Sequence, residues 1–212
     1  MKDNNLVFVK AATTPKEMDA VYRLTHDTFV ERGIIKPQPS GRLSDYPGWD
    51  SSERTVVFVA YLKGKILGTI SLTTCWSREE VFNYKAFRES IDETYRSDEK
   101  TAAGWRLAVD TSDKLIQSII VLKLVEAIHE YLFSTRIDVT YFSFVVEHLA
   151  FYQKMFIGGK LIDRKEIKTD VVDTELYFMR YRSNFSVLIN LRKRIRSMET
   201  KIVKRRERIY AA

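Results

Sequence analysis

Apolar positions along the chain follow two periods. Recurrence at every second residue marks strands, and recurrence at three- and four-residue steps marks helices. "LVFVKAA" reads as a first strand. "TPKEMDAVYRLTHDTFVERG" follows as a helix, with Met18, Val21, Tyr22, Thr25 and Phe29 in one stripe behind a Thr14 cap, Pro15 and Glu17. From Gly33 to about Glu53 the periodicity stops, and the segment "KPQPSGRLSDYPGWDSSE" gathers the clustered prolines. A loop of that length suggests a lid or a substrate-binding role. "RTVVFVAYL" and "KILGTISLTTC" then pair as a hairpin across "LKGK". In the second of these strands Leu67, Thr69, Ser71 and Thr73 oppose Ile66, Gly68, Ile70 and Leu72, so one side of the sheet meets something polar.

A charged, aromatic helical stretch from Ser77 to Tyr95 precedes the strand "GWRLAVD". The next helix, "LIQSIIVLKLVEAIHEYLFS", is apolar around most of its circumference and is expected to be buried. A strand "IDVTYFSFVV", a short helix "EHLAFYQKMF", a "GGK" turn and a final strand "TELYFMRY" complete the order. Strands that first pair as hairpins and then alternate with helices predict an α+β domain built on a mixed sheet. Beyond it Leu188, Leu191, Ile195, Met198, Ile202 and Ile209 recur at helical spacing with cationic or polar residues between them. The expected division is a domain over 1–182 and a basic amphipathic helix over 183–212.

Charge sharpens that division. From Arg182 onward the chain carries ten Lys or Arg against two Glu, more than the whole net charge of +7, so the basicity belongs to the tail. Such a helix docks on its own domain, joins a second subunit as a homodimer contact, or binds an acidic protein, a membrane surface or nucleic acid. At 212 residues and 45% hydrophobic the chain can bury a substantial core. No apolar run approaches the ~18 residues of a membrane span, and the amino terminus lacks a signal core, so a cytoplasmic protein without membrane insertion is expected. One cysteine, Cys75, excludes an internal disulfide. The singly placed His26, His129 and His148 make a metal site unexpected.

The strand "GWRLAVD" poses a chemical problem. Alternation sends Trp105, Leu107 and Val109 to one face and Arg106, Ala108 and Asp110 to the other, which puts a cation in a core strand. A buried unpaired charge costs several kcal/mol, so Arg106 needs a carboxylate partner or lines a wet cleft.

The element order, "WRLAVD" and "EHLAFYQKMF" together resemble the acyltransferase fold of the GCN5-related superfamily. By that resemblance Tyr152 matches a tyrosine that protonates a departing thiolate. Coenzyme A enzymes of this fold place a glycine-rich turn after the central strand, where bare N–H groups bind pyrophosphate. Here the turn is "TSDKLIQSII", without glycine and with an aspartate near the helix start, where it repels phosphate. A carrier protein bearing acyl-phosphopantetheine needs no such cradle, and its acidity suits a basic enzyme.

"VYRLTHDTFVERG", "GWD", "GTISL" and "WRLAVD", in this order, resemble segments of the acyl-homoserine lactone synthases and of the N-acyl amino acid synthases of the long-chain N-acyltyrosine type. The resemblance implies an autoinducer-synthase-like sheet with a V-shaped opening, no bound cofactor, acyl-carrier protein as donor partner and an amino acid, tyrosine by analogy, as acceptor. Phe29, Asp50 and Arg106 match family positions. Ala103, Ser71 and Thr25 stand where the lactone synthases carry charged residues, which favours an amino acid acceptor over S-adenosylmethionine.

The reaction needs a base for the acceptor's ammonium, and Glu147 or its neighbour His148 is placed at the end of "TYFSFVV" to serve. Arg106 holds the acceptor's carboxylate or fixes a loop aspartate, Asp45 or Asp50. Backbone amides near Ala108 or Val109 are candidate oxyanion donors. Phe142, Phe144 and Val146, on one strand face, are candidate walls of an acyl tunnel together with Phe29. Two other readings stay open: an acetyltransferase using acetyl-CoA, and a nucleic-acid-binding module acting through the tail.

Overall fold

The cap read at Thr14 closes from both sides. Its hydroxyl accepts from the Glu17 N–H at 3.2 Å, and the Glu17 carboxylate accepts from the Thr14 N–H at 3.1 Å, starting helix α1 (Pro15–Glu31). Strands β2 (Thr55–Leu62) and β3 (Lys65–Cys75) are joined by Lys63 and Gly64, both at positive φ, the mirror-image turn that matches strand twist. The computed structural model describes residues 7–44, 48–168 and 173–210. Asp45 lies outside them.

The remaining elements are β1 (Phe8–Ala11), α2 (Arg88–Thr94), β4 (Thr101–Val109), α3 (Lys114–Ser134), β5 (Val139–Val145), α4 (Leu149–Met155), β6 (Lys160–Lys168), β7 (Asp173–Arg182) and α5 (Phe185–Tyr210). One seven-stranded sheet runs β1-β2-β3-β4-β5-β7-β6, and only β4 and β5 are parallel. Two elements differ from expectation. The stretch 77–95 is helical only at a short 3₁₀ turn, Arg78–Glu80, and in α2, because its aromatics, Phe87 among them, fill a core pocket rather than one helix face. β6 was not expected: its sequence "KLIDRKEIK" is an edge strand, whose charges discourage pairing with another chain.

The β4–β5 ladder ends at Gly104↔Phe142, and beyond that pair the two strands part. The close approach there requires glycine, since a Cβ on Gly104 would stand 2.2 Å from the Phe142 ring. Phe142 is therefore a core wedge at the apex of the opening, packed 4.4 Å from Phe156 between ring centroids.

α3 and α5 cover one side of the sheet. Val187, Leu191, Ile195 and Ile202 of α5 belong to the same core as Ile120, Leu124 and Ile128 of α3, so the tail's apolar stripe as far as Ile202 packs on its own domain; the side chain of Ile209 lies outside the described ones. Lys123 lies 2.8 Å from Glu199, and Arg192 reaches Glu126 and Glu130, at 3.2 and 2.5 Å. His129 is a core residue, with Nδ1 facing the Val125 carbonyl at 2.8 Å and Nε2 facing the Tyr181 hydroxyl at 3.2 Å. Burial holds it below the ordinary imidazole range. No helix among the described residues is long and apolar enough to cross a membrane.

Candidate active site

Arg106 sits in a β-bulge. The β3–β4 register passes from Ser71↔Trp105 to Thr69↔Ala108, so Arg106 and Leu107 together face one residue, Ile70. Arg106 takes up the extra length at φ 58, in the left-handed region. The bulge breaks strict alternation: Arg106 lies on the same side as Trp105, its guanidinium carbon 4.2 Å from the Trp105 ring centroid and 5.3 Å from that of Tyr22. Its partner is Asp50. Nη1 and Nη2 donate to the two carboxylate oxygens at 2.7 and 2.6 Å, and the Arg106 side chain is wholly buried. Asp110, expected beside it, is exposed at the strand end, where its N–H donates to Leu67.

This ion pair pins the long loop to β4. Trp49, next to Asp50, packs edge-on against Trp105 and Phe82, at 5.6 and 5.4 Å, and Trp105 donates from its indole to Thr73 at 3.0 Å. Of the polar face foreseen on β3, Thr73 serves this tryptophan, while the Thr69 and Ser71 hydroxyls are buried without a hydrogen-bond partner among the described residues.

Two cavities lie beside the place where β4 and β5 part. One, of about 350 Å³, is lined by Phe29, Trp105, Arg106, Phe144, Tyr152 and Asn83 among others. The Asn83 side-chain amide donates to the Ser143 hydroxyl in its wall at 2.9 Å. The other, of about 410 Å³, lies among β4, α3, α4 and α5, with Val109, Val121, Leu122, Phe151 and Met155 as apolar lining and Arg32, Lys154 and Arg194 as cations. Leu107 and His148 line both.

His148 carries the most distinctive electrostatics. Arg32 Nη1 donates to its Nε2 at 3.1 Å, and because a guanidinium has no acceptor, Nε2 must hold a lone pair. Burial, reinforced by the Arg32 charge and opposed by that of Glu147, moves its pKa below the ordinary range. Glu147 itself is exposed in a 3₁₀ turn and lines neither cavity. Tyr152 is buried, stacked 4.1 Å from Phe144, and burial pushes its hydroxyl well above the usual phenol range. Of the other foreseen residues, Val109 lines the larger cavity, Ala108 is buried in the β3 ladder and Val146 is exposed. Arg32, Lys154 and Arg194 went unrecognised in the sequence, since isolated cations carry no spacing signal. Asp113 caps α3, its carboxylate accepting from the N–H groups of Leu115 and Ile116 at 2.9 and 3.2 Å.

A sheet opened between its two parallel strands, with cavities beside the seam, is a GCN5-like fold. The chain belongs to the N-acyl amino acid synthase FeeM family, whose model matches residues 20–181. In structure it is similar to FeeM, an N-acyl amino acid synthase from uncultured soil microbes, at 18% identity over 82% of this chain and 89% of that one, with a TM-score of 0.69. It is also similar to BjaI, a CoA-dependent acyl-homoserine lactone synthase, at 17% identity over 90% and 89% of the two chains, with a TM-score of 0.66. For the acyl-homoserine lactone synthase LasI the identity is 14% over 84% and 90%, with a TM-score of 0.64. Among curated proteins no sequence matches.

Proposed function

We propose that the protein transfers a long-chain fatty acyl group from acyl-carrier protein to the α-amino group of an amino acid, with tyrosine the acceptor by analogy with the long-chain N-acyltyrosine synthases. Two cavities that share Leu107 and His148 in their linings, one largely apolar and one aromatic, carry this reading. The apolar lining of the larger cavity suits a fatty chain, and its cations suit an acidic carrier. The aromatic lining of the smaller one suits the acceptor. The occupied α3 N-terminus favours a carrier over coenzyme A, because Asp113 already takes the N–H groups that would bind pyrophosphate.

In this mechanism Arg32, which lines only the larger cavity, turns from His148 toward the incoming acidic carrier, and the released Nε2 of His148 takes a proton from the ammonium in the smaller cavity. The amine attacks the thioester carbonyl, forming the C–N bond. The Val109 N–H, which faces away from β3 beyond the end of the β5 ladder, stabilises the oxyanion, whereas the Ala108 N–H is taken up by the β3 ladder. The C–S bond breaks, the nitrogen sheds its second proton, and the sulfur takes up one. Tyr152, held neutral by burial, donates a hydrogen bond to the departing sulfur. Arg106 acts through Asp50, holding the loop that closes the acceptor cavity. The reaction runs in the cytoplasm, in keeping with a single buried thiol at Cys75.

Mass spectrometry of organic extracts from bacteria expressing the chain, beside its His148→Gln variant, tests the reaction. Fatty amides of one amino acid, made only by the intact protein, support it. Their absence from cells holding soluble protein rejects it.

A further inference from the structure

The family match ends at residue 181, yet α5, which begins at Phe185, supplies Arg194 and Met198 to the lining of the larger cavity. The two residues are one helical turn apart and share a face. They lie beside the stripe Leu191, Ile195 and Ile202, which is buried against the core, so docking that stripe turns the neighbouring one toward the cavity. Arg194 approaches the Met155 sulfur, on α4, at 3.8 Å, bridging the two helices that flank the space. The ion pair between Lys123 and Glu199, both largely buried, fixes α5 to α3 beside Met198.

We infer that α5 is a wall of the acyl site, and that Met198 sets the length of chain the cavity accepts. The inference rests on the functional reading above, which places the acyl group in this cavity. Met198 is the one α5 residue of the lining that is apolar, and it stands among Val121, Leu122 and Met155, the surfaces a fatty chain would touch. A methionine suits such a wall, because its flexible thioether adapts to the chain it meets. The basic tail, which reads in the sequence as a docking appendage, therefore becomes part of the specificity apparatus.

Two substitutions in the full chain test this. Met198→Ala empties part of the wall, and the amides formed should lengthen by about two methylenes. Met198→Trp fills it, and the distribution should shift to shorter chains. Met198→Leu, close in volume, keeps the parent distribution and controls for damage to the fold. A fluorescent fatty acid displaced by unlabelled acids of graded length gives a readout independent of turnover: the best competitor should be longer for Met198→Ala and shorter for Met198→Trp. If the parent makes amides and neither the products nor the competitor ranking responds to residue 198, the inference falls. If no amide forms but the ranking still follows residue 198, the wall stands and the assigned reaction fails.

Discussion

Arg106 and Asp50, 56 residues apart in the chain, are joined by two parallel hydrogen bonds, and the guanidinium is wholly buried. A bidentate pair of this kind is strong only while both partners are present. Asp50→Asn leaves a buried cation without its counter-charge, which costs about 3–5 kcal/mol. For a chain of this size that lowers Tm by about 10 °C. Arg106→Met combined with Asp50→Leu removes both charges and should recover most of the loss. Thermal unfolding of the three variants measures it. Even at temperatures where the double variant is folded, the acceptor's KM should rise, because Arg106 itself lines the cavity assigned to the acceptor.

The same pair shows where the sequence was legible. Alternation located β4 and marked Arg106 as anomalous, and burial alone required that it have a carboxylate partner or line a wet cleft. Its geometry was not legible, because a one-residue bulge moved Arg106 to the Trp105 side, and a bulge at a non-glycine residue leaves no pattern in the sequence. Helix α1 was readable because Thr14, Pro15 and Glu17 are local signals. The seam was not, since Arg32 and His148 are 116 residues apart and neither belongs to a motif. β6 escaped for a related reason: its alternation is between charges, and an edge strand needs little apolar burial to form.

The Arg32 contact sets the pH dependence of kcat/KM. The base is the neutral imidazole of His148, and its folded pKa is lowered by burial first and by Arg32 second. Activity should therefore persist to lower pH than an unperturbed imidazole would allow, and fall as the ring protonates. Arg32→Met removes one of the two lowering causes in the free enzyme, so the acid limb of kcat/KM should move up, while that of kcat, measured after Arg32 has been released, should move little. His148→Gln should reduce kcat by about 10²- to 10⁴-fold and abolish both limbs. Profiles of kcat and kcat/KM from pH 5 to 8 check both. A kcat/KM limb unmoved by either change would remove His148 from the mechanism.

Gly104 and Phe142 hold the apex of the opening. A methyl group at residue 104 would meet the Phe142 ring at 2.2 Å, so Gly104→Ala must push the wedge aside. Overpacking of this kind costs about 1–3 kcal/mol. Adding Phe142→Leu makes room and should restore part of the stability, while the parting of β4 and β5 loses its wedge and turnover stays low. Chemical denaturation gives the first quantity and product formation the second. Recovery of both would mean that the wedge is packing alone.

Asp113 separates the two possible donors. Its carboxylate occupies the Leu115 and Ile116 N–H groups at the start of α3, where a coenzyme A pyrophosphate would bind in this fold. Asp113→Gly costs only a few tenths of a kcal/mol as a cap, and it releases those donors while removing a negative charge. With an acyl-carrier donor, whose phosphate need not reach this turn, kcat/KM should change little. With the same acyl group on coenzyme A, KM should fall severalfold, because both the repulsion and the competition for the N–H groups are gone. Parallel assays of the parent and the variant with both donors decide the matter. A parent that already uses acyl-CoA as well as the carrier would show that Asp113 does not exclude the pyrophosphate, and the donor assignment would pass to coenzyme A.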